Sequence, residues 1–95
     1  MKKNLDSLVR YVYKRYSYPK SWYSKVHFQK RSTEIYISEQ AILKCMDNPN
    51  QDIRETIYDY LIEIEYSSKF AESPLVKQRF SWMISTLTTL YDYLN

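Results

Sequence analysis

The chain holds one histidine, His27, and one cysteine, Cys45. Any Cys–His nucleophile, a thiolate made by a neighbouring imidazole base, has to be this pair. No carboxylate stands at a spacing that would orient the imidazole. Cys45 shares an apolar helical face with Ile42 and Met46, which points to a buried structural thiol instead. One His and one Cys fall two ligands short of a zinc site, and no acidic spacing supplies the rest. The sequence contains no glycine. That excludes a phosphate-cradling P-loop, a dinucleotide fingerprint and a nucleophile elbow, each of which needs a backbone position that glycine serves best. No catalytic residue, metal or cofactor is expected.

Glu55, Asp59 and Glu63 recur at i, i+4 and i+8, with Asp52 adjacent. Paired carboxylates do acid–base work when a pocket desolvates them and separates their pKa values. These lie on the polar side of their helix, so the pattern reads as a solvated face or one that meets basic charge.

The stretch RYVYKRYSYPKSWYSKVHFQKR, residues 10–31, carries seven Lys or Arg and seven aromatics without one acid. Residues 1–33 sum to +8 and residues 34–95 to −5, giving the net +3. Such asymmetry between halves marks an interaction surface or a self-complementary fold. Lys and Arg contact phosphates while aromatics stack on bases, which suits nucleic acid. Tyr, Trp and Arg also dominate protein hot spots, and a basic patch steers toward an acidic partner. A purely structural reading fits less well, because seven aromatics are too many for one inward face. The expected contact surface is Arg10, Lys14, Arg15, Lys20, Trp22, Tyr23, Lys25, Lys30 and Arg31. A second candidate lies on the last helix, where Trp82 flanks a strip of small residues, Ser81, Ser85, Thr88 and Asp92, suited to a partner or to a homodimer.

The elements that must position these residues follow from periodicity. Leu5, Leu8, Val9, Val12 and Tyr16 keep 3–4 spacing and predict an amphipathic helix over 4–17. It ends before Pro19, since a residue preceding proline avoids the helical region. Val26 and Phe28, then Ile35 and Ile37, alternate with polar neighbours, which favours a short β-hairpin in residues 24–37. The hairpin lacks an Asn-Gly or Asp-Gly turn. Its rival is a short helix from Ser21 to about Lys30. Ser38 then caps a helix over 39–47 that buries Ala41, Ile42, Cys45 and Met46. Asn48-Pro49 and Ser73-Pro74 each look like a helix start, a capping residue followed by proline at the first helical position. They open helices over 49–71 and 74–94.

The last helix shows the seam Val76, Phe80, Met83, Leu87, Leu90, Leu94, and its partner presents Ile53, Ile57, Tyr60, Leu61 and Ile64. A second apolar stripe, Tyr58, Ile62, Tyr66 and Phe70, is expected to lie under helix 4–17 or helix 39–47, with a partner groove as the alternative. The fold class predicted is therefore mainly α: a small helical bundle around an antiparallel helix pair, with α+β as the alternative if the hairpin forms.

The 95 residues suit one domain, and no stretch is long and apolar enough for a membrane span. A lone cysteine and no signal-peptide core fit a cytoplasmic protein. Eleven tyrosines, two alanines and no glycine read as the codon bias of an AT-rich bacterium, phage or mobile element. The function expected is non-enzymatic binding, as a small regulator, inhibitor or immunity-type protein. It acts on an acidic protein surface through the basic aromatic segment, with direct nucleic-acid binding as the alternative and no membrane partner.

Overall fold

The computed structural model describes residues 3–17 and 25–95, without the side chains of Lys25 and Val26. Among the described residues there are four helices packed on one another and no strand: α1 (Leu5–Arg15), α2 (Lys25–Asp47), α3 (Ile53–Ser68) and α4 (Pro74–Leu94). Helices α3 and α4 form the expected antiparallel pair, and α2 lies along α4 and α3 to make a three-helix layer. Helix α1 crosses one end of it.

Each start has a visible cause. Asn4 caps α1 through its side chain, which accepts from Ser7 N, while the Ser7 hydroxyl accepts from Asn4 N. The Ser73 hydroxyl accepts from Val76 N at 3.1 Å, and Pro74 sits in the first turn, where its missing N–H costs nothing. The other proline signal differs. Asn48 closes α2, its side-chain amide donating to the Lys44 carbonyl at 2.8 Å. Pro49 falls in the turn that follows, and Asp52 takes over the capping of α3. Helix α3 thus starts and stops inside the expected 49–71.

The β-hairpin expected over 24–37 is not present among the described residues: 25–37 belong to α2, which continues without a break through Ser38 to Asp47. Ser38 is no cap. It is fully buried in mid-helix, where its hydroxyl donates to the carbonyls of Glu34 and Ile35. The alternation that mimicked a strand has a tertiary origin. Ile35 and Ile37 stand about 200° apart around a helix. Both are buried because α2 is covered on two sides, Ile35 toward α1 and Ile37 in the main core. A helix packed on two sides loses the one-sided stripe that identifies an amphipathic helix.

The core joins Leu8 and Val12 of α1 and the capping Tyr16 that follows it with Ile37, Ala41 and Cys45 of α2, Ile57, Tyr60 and Leu61 of α3, and Leu87, Leu90 and Leu94 of α4. Met46, expected inside, is exposed. Helix α1 is fastened to the end of α4: Tyr11 stacks on Tyr93 with ring centroids 4.0 Å apart, the Tyr93 hydroxyl donates to the Ser7 carbonyl, and the Lys3 ammonium lies over the Tyr93 ring.

Candidate partner-binding surface

Of the nine basic and aromatic residues expected at the contact surface, Lys20, Trp22 and Tyr23 lie outside the described residues, as does the Lys25 side chain. The other five divide into two kinds. Arg15 and Arg31 hold the fold. Their guanidinium carbons lie 5.8 and 5.9 Å from the ring centroid of Tyr16, which is itself buried. Arg31 also donates to the Arg15 carbonyl at 3.3 Å and pairs with Glu34 at 3.5 Å. A cation placed on the last carbonyls of α1 complements the negative end of that helix. Hydrogen bonding to Tyr16, with help from Tyr11, raises the Arg15 pKa still further.

Arg10, Lys14 and Lys30 are exposed, and none forms an ion pair among the described residues. Arg10 and Lys14 stand one turn apart on α1 and flank Tyr13, which is 75 % exposed. Tyr13 also edges a groove of about 260 Å³ between α1 and α2, which Arg10 and Lys14 do not line. Val9, Val12 and Tyr16 form its α1 wall, and Ile35, Ile42 and Leu43 its α2 wall. Glu39 stands on the α2 side of the groove. The sequence reading found the cations but missed the groove. Leu43 was the available signal: an apolar residue on the solvent side of a helix, half exposed beside Glu39.

The remaining candidates separate. Trp82 is half-buried, its carbonyl accepting from the Thr86 hydroxyl, whereas Ser85 is exposed and lines a hollow between α3 and α4 with Phe80, Ser81 and Ile84. The two stand at i, i+3 on α4, on adjacent flanks of the helix. Cys45 and His27 lie on the same continuous helix, 18 residues apart, hence about 27 Å along its axis, so they cannot form a nucleophile pair. Burial pushes the Cys45 thiol up to about 11, which keeps it protonated and unreactive.

Glu55 and Asp59 are exposed, Asp59 accepting from the Gln51 amide at 3.0 Å, and Glu63 pairs with Lys44 at 3.5 Å. Among the described residues no cluster of His, Cys, Asp or Glu is placed to hold a metal ion, and no helix is long and apolar enough to cross a membrane. No protein-family model, curated protein or solved structure matches this chain.

Proposed function

We propose that this is a non-enzymatic binding protein that docks an acidic protein surface on the α1–α2 face, acting as a regulator, inhibitor or immunity-type protein. One feature supports the reading: α1 carries the exposed cations Arg10 and Lys14 on its outer side and, through Tyr13, edges an apolar groove that Leu43 borders from α2. Apolar contact supplies affinity there, while the cations steer approach and select for acid. Glu39 on the far rim argues against phosphate, because a nucleic-acid backbone carries negative charge to both rims. Arg31, drawn toward Glu34 and Arg15, is held back from any phosphate.

The test is capture from a nuclease-treated bacterial lysate by the tagged wild type and by a variant carrying Arg10→Glu, Lys14→Glu and Lys30→Glu. All three positions are exposed. The wild type should retain a stoichiometric protein that the variant loses, with helicity and Tm unchanged. Nucleic acid that leaves steeply with salt, and no stoichiometric protein, would overturn the reading in favour of phosphate binding.

A further inference from the structure

Between the first halves of α2 and α4 lies a hollow of about 420 Å³ that shares no residue with the α1–α2 groove. That volume suits a small ligand. Two rings border it from α2, Phe28 and Tyr36, eight residues and hence about 12 Å apart along the axis. Tyr36 is 53 % exposed, so part of its ring is open to another planar group. Met83 lines the hollow from α4 and adds a thioether, which packs well against a ring.

The polar groups of the hollow are unspent. The Gln29 amide and the Ser32 hydroxyl form no hydrogen bond among the described residues, whereas the Thr33 hydroxyl beside them donates to the Gln29 carbonyl at 2.8 Å. Arg79, opposite them on α4, is exposed and forms no ion pair among the described residues. No carboxylate lines this hollow. The acids on the same part of α2 are placed elsewhere: Glu34 pairs with Arg31, and Glu39 lines the α1–α2 groove. The hollow at the start of α3 has the opposite character, since Asp52, Glu55 and Asp59 outweigh Arg54 there.

These groups select a ligand by its chemistry. A guanidinium fork with no carboxylate to meet takes a phosphate or carboxylate through paired N–H donors. An open ring takes a planar body by stacking. A side-chain amide offers a donor and an acceptor together, the pattern with which Gln meets the edge of adenine. A plain aromatic acid would use the ring and the cation and leave Gln29 and Ser32 unused.

We propose that the α2–α4 hollow binds a free nucleoside monophosphate, with the base stacked on Tyr36, its edge toward Gln29 and Ser32, and the phosphate on Arg79. The site lies apart from the protein-docking face, and neither reading depends on the other.

Titration of the full chain with adenosine monophosphate, followed by two-dimensional amide NMR, tests this. The amides of Gln29, Ser32, Tyr36, Arg79 and Met83 should shift and saturate, half-maximally at ~1 mM or below. Adenosine and ribose phosphate each lack half of the ligand and should bind at least ~10-fold more weakly. Arg79→Gln and Tyr36→Ala should weaken the nucleotide by a similar factor. Circular dichroism melting checks that both variants fold, and Tyr36→Leu replaces Tyr36→Ala if the latter melts early. Shifts that never saturate overturn the proposal, as do shifts centred on Arg10 and Lys14. So does ribose phosphate that binds as well as the nucleotide, or a variant that binds like the wild type. Oligoadenylate should bind no more tightly per nucleotide than the monomer; tighter binding would reassign the hollow to a strand and overturn the free-nucleotide reading.

Discussion

The two ends of the α3–α4 pair carry the same sequence pattern and different fates. At the closed end, Leu87, Leu90 and Leu94 of the seam are buried, with Ile57, Tyr60 and Leu61 across from them and Leu8 and Val12 of α1 closing the core. At the open end, Val76 of the same seam is exposed, and Phe70 and Leu75 beside it are exposed as well. Helix α1 reaches only the closed end, where Tyr11 and Ser7 meet Tyr93. A heptad-like seam is thus a request for a partner, and only half of this one is met within the chain. What remains is either tolerated exposure or a surface held open for another molecule.

The sharpest way to break this contrast is a matched pair of truncations. Leu90→Ala removes a side chain that is fully buried and should cost about 3 kcal/mol in urea unfolding. Phe70→Ala removes a larger side chain at the open end and should cost less than about 1 kcal/mol. Similar costs would mean that the open end is covered and the division false.

Alkali should act at the closed end next. Burial raises Cys45 from 9.0 to about 11, and burial, then Tyr36 and Glu63, raise Tyr60 from 10.0 to about 12. Both groups are neutral when protonated in the thiol and phenol forms, so a raised folded pKa penalises ionisation only in the folded state. Their contribution is intact below the unfolded values, declines as pH climbs from 9 toward 12, and saturates above the folded values. Urea unfolding across that window should show a loss of up to roughly 5 kcal/mol that Cys45→Ala reduces. A stability flat to pH 12 would show that neither group is buried as described.

The smallest effect belongs to the turn at the open end. Ser73→Ala removes the acceptor for Val76 N and should cost about 1 kcal/mol, with amide exchange quickening in the first turn of α4 and leaving Leu87–Leu94 untouched. Spread of that exchange into the closed end would show one cooperative unit in place of two unlike halves.

Much of the architecture was legible. The α1 stripe, the Ser73-Pro74 start and the α3–α4 seam all rest on short-range rules, namely capping chemistry and 3.6-residue periodicity, and each stands where the spacing put it. The reading failed where burial comes from two directions. Ile35, Ile37 and Ser38 looked like a strand and a cap because α2 is packed by α1 on one side and by α3 and α4 on another. Asn48-Pro49 misled because a side-chain amide can close one helix as readily as it can open the next.

The candidate surface follows the same division. Residue types alone located the positive charge, since Lys and Arg in an acid-free stretch must lie near one another in space. Which cations are available was a tertiary decision. Arg15 and Arg31 are engaged because the end of α1 meets the first half of α2 over Tyr16, whereas Arg10 and Lys14 face outward on α1. Likewise, the sequence by itself set an apolar stripe along Tyr58, Ile62, Tyr66 and Phe70, but it could not say that the stripe stays open. Periodicity encodes which side of a helix avoids water; coverage depends on where the other helices end, and that is a property of the whole chain.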